Sequence, residues 1–368
     1  MKILVTGASG FIGKTLLVRL AEEQGFEFDC FTRADDAVSL SAKVAAADAI
    51  VHLAGENRPA DPAAFMQVNG DLTASLCDAV RAAARPIPLL FASSIQAERD
   101  NPYGDSKRAG EEAIARLAEV PGQNCTIFRL PNVFGKWCRP HYNSAVATFC
   151  HNIARGEAIR VDDPAAPLTL VYVDDVVETM LATLRTASPG LHWGAVDPVY
   201  QTTVGEVADL IRAFHDSRAT LTTERVGTGL VRALYSTYVS YLPTEAFSYA
   251  VPVHGDARGV FVEMLKTPDS GQFSFFTAHP GITRGGHYHH SKTEKFLVIK
   301  GRARFGFRHI LTDEFFALDT SGEEPRIVET VPGWSHDITN VGDDEMVVML
   351  WANEIFDRDR PDTIARSV

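Results

Sequence analysis

The chain begins Lys2-Ile3-Leu4-Val5-Thr6, continues Gly7-Ala8-Ser9-Gly10-Phe11-Ile12-Gly13, and then shows a helical pattern through Leu16, Leu17 and Leu20. A short apolar strand, a glycine-rich turn and a helix in that order restrict the fold more than any other stretch. The glycines permit a tight turn and close backbone approach to a ligand, and the helix amino terminus favours a pyrophosphate. The alternative, a glycine-rich turn with no ligand, is disfavoured by the position directly after the first strand.

The next apolar run, Phe28 to Phe31, ends at Thr32-Arg33. A ribose with a free 2′-hydroxyl ordinarily meets an acid here and a 2′-phosphate an arginine, so Arg33 points to NADP, with Asp35 and Asp36 close by. Ala49-Ile50-Val51-His52-Leu53-Ala54-Gly55 reads as a third strand closing on small residues, where a cofactor can cross near the backbone. His52 within it reads as a packed core side chain. A helix near 63–84, the strand Leu89-Leu90-Phe91-Ala92, a helix Tyr103–Ala118 and a strand Cys125–Leu130 continue the alternation. Such alternation predicts right-handed crossovers, a parallel sheet and ligands at its carboxyl edge.

At that edge stand Ser94 and then Tyr103-Gly104-Asp105-Ser106-Lys107. Tyr103 and Lys107, four apart, share one helix face. A lysine cation beside a phenol favours phenolate and predicts a tyrosine pKa below its ordinary value of about 10. A hydroxyl to hold a carbonyl oxygen and a phenol to protonate it suit carbonyl reduction. The same spacing arises by chance as a surface tyrosine and a solvated lysine; the glycine loop upstream gives it weight.

The 368 residues leave room for two to three domains. A net charge of −12 argues against a general nucleic-acid binder. The five cysteines (30, 77, 125, 138 and 150) are scattered without a Cys-x-x-Cys pair, so a reducing, cytoplasmic setting is expected rather than a disulfide framework. No apolar run reaches about 18 residues and glycines break the first one, so neither a signal peptide nor a membrane span is expected.

Residues 131–149 gather Lys136, Trp137, Arg139, His141, Tyr142 and Asn143. These suit either a diphosphate with a stacked base or a long loop packed on its own domain. Thr203-x-x-Glu206 reads as a capping box opening a helix through Leu210, Ile211 and Phe214. After it, Tyr235, Tyr238, Tyr241 and Pro243 lead into a stretch with few helical periods. A boundary at 243 divides the chain into 1–243 and 244–368.

From about Ala250, Gly, Pro and Asp punctuate the runs Val260–Leu265, Phe273–Thr277, Phe296–Ile299, Ala303–Phe307 and Met346–Trp351. That spacing predicts a small antiparallel barrel or sandwich. Within it lie Gly281-x5-His287-x-His289-x4-Glu294-x6-Gly301 and Gly333-x-x-His336-x3-Asn340. Residues two apart on a strand face the same way, so His287 and His289 point together. Ser291-Lys292-Thr293 can turn the chain to bring Glu294 beside them, and His336 offers a fourth ligand. Three imidazoles and a carboxylate suit zinc, manganese, iron or nickel; ligand softness does not choose among them, and zinc heads the expectation for a divalent metal. His279, His290 and His309 read as solvated or packed.

With these residues in view, the first two-thirds resembles the extended short-chain dehydrogenase/reductase family in its sugar-nucleotide branch. The matches are Thr6-Gly7-x-x-Gly10-x-x-Gly13, His52-Leu53-Ala54-Gly55, Asn69, Ser94, Tyr103-x-x-x-Lys107, Arg129-x-Pro131-Asn132-Val133-x-Gly135 and Tyr172-Val173-Asp174-Asp175. The resemblance implies a Rossmann-like α/β domain with parallel sheet. It implies Ser94, Tyr103 and Lys107 as catalytic residues, and Gly7, Gly10, Phe11, Ile12, Gly13, Arg33, Leu53, Ala54 and Lys107 around NADPH. Arg129 and Asn132 would touch the nucleotide sugar. Sugar 4,6-dehydratases of this family carry an Asp-Glu pair directly after the catalytic hydroxyl. Here Ile95-Gln96 stands there, which favours simple reduction over elimination.

The second half is similar to the cupin family, which implies an all-β jelly-roll barrel with His287, His289, Glu294 and His336 on a metal. It departs from that pattern in having Pro332 adjacent to Gly333. Asp256-Ala257-Arg258-Gly259-Val260-Phe261-Val262-Glu263 and Arg284-Gly285-x-His287 also resemble the dTDP-4-keto-sugar 3,5-epimerases, which implies Arg258 and Arg284 as substrate contacts. In those epimerases the histidine matching His287 is the base; a histidine that ligates metal has no free lone pair to act so. End to end, the chain resembles the family of bifunctional capsular-polysaccharide enzymes of UDP-N-acetyl-L-fucosamine synthesis. That implies a UDP-sugar substrate epimerised at C3 and reduced at C4. A cytoplasmic homodimer with no nucleic-acid or membrane partner is the accompanying expectation.

Overall fold

A computed structural model describes residues 1–368 with the exception of 60, 187, 257–258, 263–264, 266, 268–270 and 355–358, and the backbone alone for 253–256, 259–262, 272 and 274. The chain forms two compact units, Met1–Ser144 with Leu168–Gln201, and Ala145–Pro167 with Thr202–Val368.

In the first unit β1 (Lys2–Thr6), α1 (Phe11–Glu22), β2 (Glu27–Phe31), α2 (Ala37–Ala46) and β3 (Ala49–His52) alternate. A short α3 (Ala63–Phe65) passes through a π-helical turn, Met66–Asp71, into α4 (Leu72–Ala82). Then come β4 (Leu89–Ser94), α5 (Pro102–Ala118), β5 (Asn124–Leu130) and β6 (Asn132–Phe134). After α6 (Ala145–Ile153), which belongs to the second unit, the chain resumes with β7 (Pro167–Tyr172), α7 (Val173–Arg185), β8 (Gly190–Gly194) and β9 (Tyr200–Thr203).

The main sheet has the order β2-β1-β3-β4-β5-β8, and every pairing in it is parallel. Both of its faces are covered, which is why its strands read as continuous apolar runs. Ile3 and Val5 of β1 face Leu16 and Leu20 of α1 and Val176 and Met180 of α7, while Leu4 faces Leu40 and Val44 of α2 and Leu76 of α4. Strand order reverses at β1. The crevice beyond the carboxyl ends of β1 and β3 is therefore the topological switch point, where open parallel sheets take their ligands.

In the second unit α8 (Val204–Thr220) opens on the expected capping box, with Glu206 N–H donating to Thr203 Oγ1 at 3.2 Å and Thr203 N–H to Glu206 Oε2 at 3.1 Å. The tyrosine stretch that shows little period in sequence is a helix, α9 (Gly229–Ser240). Residues Ala233 to Val239 are buried without a break, so α9 has no polar face from which a period could be read. Tyr235 and Tyr238 pack on Phe214 of α8, with ring centroids 5.2 and 6.1 Å away.

Twelve described strands follow: β10 (Ser248–Ala250), β11 (Val253–Asp256), β12 (Gly259–Val262), β13 (Gln272–Ala278), β14 (Thr283–Tyr288), β15 (Glu294–Lys300), β16 (Arg302–His309), β17 (Phe315–Ser321), β18 (Arg326–Glu329), β19 (Trp334–Asn340), β20 (Met346–Ala352) and β21 (Ile364–Ala365). Ten of them form two antiparallel five-stranded sheets, β10-β18-β15-β20-β13 and β17-β16-β19-β14-β21. Phe296 of the first sheet meets Phe305 of the second at 5.7 Å, so the aromatic core lies between them. Alternation along β15 sends Glu294 and Phe296 one way and Lys295 the other. Lys295 Nζ is buried against Glu329 of β18 and donates to Tyr249 Oη at 3.0 Å. Arg218 of α8 pairs with the same Glu329 carboxylate, and Tyr235 of α9 reaches it at 3.4 Å. Helices α8 and α9 are thus tied to the strands by a buried ionic cluster.

Candidate functional site

The glycine loop is fixed by close approach. Gly7 sits at φ +70°, and a Cβ there would lie 2.6 Å from Ala54 N; a Cβ on Gly13 would lie 2.3 Å from Gly7 O. Ala54 N–H donates to Thr6 Oγ1 at 3.1 Å and Leu53 N–H to Thr6 O at 3.2 Å, which locks the end of β3 beside the loop. Helix α1 starts at Gly10 with no side-chain cap and no acid in its first turn, where Phe11 and Ile12 stand. The helix thus supplies no acid of its own to its first amide groups, which fits a pyrophosphate.

Arg33 at the end of β2 is 93% exposed, 3.4 Å from Glu56. Both nearby acids are engaged elsewhere: Asp35 accepts from Thr32 N–H at 2.7 Å, and Asp36 caps α2. His52 is the packed residue its strand implied. Its ring lies 2.6 Å from Thr6 Oγ1 and 2.8 Å from Thr73 Oγ1, and burial, with Lys107 adding, pulls it down to about 3.

Ser94, Tyr103 and Lys107 come together at the carboxyl end of β4. Asn101 caps α5, its Oδ1 accepting from Gly104 N–H at 2.9 Å, and Pro102 opens the first turn, which presents Tyr103. The Tyr103 phenol is hydrogen-bonded with Ser94. Lys107 is buried; its Nζ donates to Ala92 O at 3.0 Å and lies 6.0 Å from the Tyr103 ring centroid. A Cβ on Gly55 would come within 3.2 Å of that Nζ and 3.1 Å of Asn69 Oδ1, so the glycine leaves open space beside the ammonium. Such a cradle fits a nicotinamide ribose.

The expected lowering of the tyrosine is overturned. Burial pushes Tyr103 up, the Ser94 hydrogen bond opposes this, and the Tyr142 phenol adds to the rise. Lys107 itself is pulled down to about 8 by burial, against the raising charge of Glu111.

Arg129 closes its guanidinium on Glu111, Nε to Oε1 at 2.9 Å and an Nη to Oε2 at 2.6 Å, with Glu98 at 3.0 Å from the other Nη. Ser93 donates to the same buried carboxylate, so Glu111 ties β4, β5 and α5 together one turn beyond Lys107. Sequence reasoning missed this acid; its place four residues after Lys107 was the available signal. Asn132 Nδ2 donates to Thr169 O at 3.1 Å. Of the basic–aromatic stretch, Lys136 is buried on Asp174 at 2.6 Å and Tyr142 donates to Glu56 at 2.7 Å.

In the second unit His287, His289, Glu294 and His336 converge, one ligand atom from each lying within 4.8 Å of the others. His287 on β14 is the cross-strand partner of His336 on β19. His289 Nε2 lies 3.1 Å and His336 Nε2 3.6 Å from Glu294 Oε2. His336 Nε2 is buried with no hydrogen-bond partner among the described residues. Burial, with His336 and His289 adding, pulls His287 down to about 4, and burial also lowers His336. Burial alone would raise Glu294, but the adjacent His289 and His336 imidazoles and the Lys292 charge hold it well below the usual carboxylate range. His287 and His336 held neutral and Glu294 held ionised are in the states a divalent ion requires, so the donor set fits one. Arg284 donates to Thr277 O at 3.2 Å and stacks on Phe276; Arg258 lies outside the described residues.

The known proteins this chain resembles follow the same division. The NAD dependent epimerase/dehydratase family model matches residues 3–196, and the polysaccharide biosynthesis C-terminal domain model matches residues 254–364. UDP-2-acetamido-2,6-beta-L-arabino-hexul-4-ose reductase of Pseudomonas aeruginosa is 61% identical over 368 residues, 100% of this chain and 99% of its own. The crystal structure of the capsular polysaccharide assembling protein CapF from Staphylococcus aureus is 41% identical with TM-score 0.68, covering 100% of both chains. The Bordetella bronchiseptica enzyme WbmF in complex with NAD+ shares the fold of 58% of this chain, over 78% of its own, at 19% identity and TM-score 0.52. The chain is thus a member of the NAD-dependent epimerase/dehydratase family, in the group that joins this domain to a polysaccharide biosynthesis C-terminal domain.

Proposed function

We propose that the chain is a bifunctional sugar-nucleotide enzyme. Residues 244–368 invert C3 of a UDP-2-acetamido-2,6-dideoxy-4-keto-hexose, and residues 1–243 reduce its C4 ketone with NADPH. The product is UDP-2-acetamido-2,6-dideoxy-L-talose, for capsule or O-antigen synthesis. The observation that carries the reading is the grouping of Ser94, Tyr103 and Lys107 at the edge of a nicotinamide-type sheet, in a chain that aligns end to end with a named UDP-hexulose reductase.

The chemistry follows from these residues. Ser94 hydrogen-bonds the C4 oxygen and Tyr103 protonates it, while Lys107, with Ala92 O holding one N–H, keeps two for ribose hydroxyls. A reduced nicotinamide supplies the hydride when bound. Arg33, exposed and free of its acidic neighbours Asp35 and Asp36, supports NADPH over NADH. His287, His289, Glu294 and His336 would hold a divalent ion, zinc among those the donor set suits; such an ion would supply Lewis-acidic charge or rigidity to the barrel. A ketone at C4 makes the C3 hydrogen acidic, because the carbanion left behind is an enolate. Epimerisation is reversible, and reduction pulls it forward, which accounts for both activities in one chain.

Tyr103→Phe in the full-length protein tests the reductase assignment. It should abolish NADPH oxidation and leave deuterium exchange at C3 intact. Unchanged oxidation would refute the role of Tyr103; absent C3 exchange would leave the barrel as a binding module beside a working reductase.

A further inference from the structure

The four residues read as a metal site are all held from one short segment far away in sequence. Asp362 Oδ1 accepts from His290 N–H at 2.8 Å, and Oδ2 accepts from Ser291 N–H and Lys292 N–H, each at 2.7 Å. The Ser291 hydroxyl adds a further bond to Oδ2 at 3.1 Å. One carboxylate thus fixes three consecutive amides of the turn between His289 and Glu294. The backbone carbonyl of Asp362 meets His289 Nδ1. A carbonyl only accepts, so Nδ1 carries a proton and Nε2, 3.1 Å from Glu294 Oε2, is the nitrogen turned towards the other ligands.

The residues after Asp362 continue the same work. Strand β21 pairs with β14 at His287, in register His287↔Ala365 and Tyr288↔Ile364. Arg366 N–H donates to Gly286 O at 2.8 Å. The Ser335 hydroxyl, adjacent to His336, donates to Arg366 O. His287, His289 and His336 are therefore buttressed by residues 362–366, directly or through an immediate neighbour, and Glu294 through Lys292, whose Nζ lies 3.1 Å from Glu294 Oε1 and donates to Thr363 Oγ1 at 3.2 Å.

We infer that Asp362 is a positioning residue of the metal centre, and that docking of residues 362–366 and occupancy of His287, His289, Glu294 and His336 by a divalent cation are mutually reinforcing. This rests on the metal-site reading given above. Two sites linked in this way strengthen each other by the same factor. Partners that orient metal-ligating histidines typically govern roughly 10–100-fold in metal affinity. Asparagine at 362 keeps the carbonyl and the side-chain shape, but its amide N–H2 replaces one of the two accepting oxygens.

The test uses the full-length protein with zinc as the probe. Zinc affinity is measured by competition with a chromophoric chelator for the wild type and Asp362→Asn, alongside the thermal transitions of both metal-free proteins. The expected result is roughly 10–100-fold weaker zinc binding in the variant, with both metal-free proteins still folded at the assay temperature. Independently of any variant, amide hydrogen exchange of the wild type is followed with and without zinc. Zinc should slow exchange over 289–293 and 360–366 together. Equal affinities in the two proteins, or protection confined to 289–293, would overturn the inference alone. No zinc uptake by the wild type would overturn the metal-site reading and the inference with it.

Discussion

Replacing Lys107 with methionine should stabilise the protein while abolishing reduction. Burial pulls the Lys107 ammonium down to about 8 from its ordinary 10.5. At roughly 1.4 kcal/mol per pH unit, that amounts to about 3 kcal/mol by which the charged side chain disfavours the folded state at neutral pH. Methionine is unbranched and fills the same channel without a charge. The loss of the N–H donated to Ala92 O offsets about 1 kcal/mol, leaving a net gain of about 2 kcal/mol. For a unit of this size the transition should rise by about 5 °C. The pH dependence has a definite sign. The folded chain holds the Lys107 proton less tightly than the unfolded chain, so between about 8 and 10.5 the unfolded chain binds more protons and wild-type stability rises with pH relative to the variant. Thermal unfolding at pH 7 and pH 10 should show the gap between the two proteins closing, while NADPH oxidation falls about a hundredfold or more. A variant less stable than wild type at pH 7, or a gap independent of pH, would refute the reasoning.

Two further outcomes are expected. Glu329→Ala leaves Lys295 and Arg218 without their shared carboxylate and should destabilise the second unit by about 3–5 kcal/mol, read by denaturant unfolding of the full chain; a change under about 1 kcal/mol would show the cluster to be relaxed by water. Arg33→Ser should raise the KM for NADPH by roughly 10–100-fold, the equivalent of one charge-assisted hydrogen bond, and leave the KM for NADH unaltered; equal effects on both cofactors would remove Arg33 from the 2′-phosphate.

Local features of this chain are legible in its sequence and non-local ones are not. The loop Gly7–Gly13 and the capping box Thr203–Glu206 each depend on residues within a few positions, so spacing alone reveals them. Helix α9 eludes periodicity because it is buried on all sides. Asp362 stands 72 positions after His290, and nothing in a short window announces that its carboxylate will close a turn so far back. The pairing of Arg129 with Glu111, 18 positions apart, is hidden likewise. The direction of the Tyr103 shift follows from burial outweighing the Ser94 hydrogen bond, while Lys107 Nζ points towards Ala92 O, 6.0 Å from the phenol ring centroid. A motif names the two residues and leaves that geometry open.

The most direct measurement follows both carbons of one product. The full-length wild type is incubated with a UDP-2-acetamido-2,6-dideoxy-4-keto-hexose in heavy water, with NADPH deuterated at the transferred position. The account predicts a reduced sugar carrying deuterium from solvent at C3 and from the cofactor at C4. A product labelled at C4 alone would contradict the epimerase half, and no labelled product at all would contradict the whole.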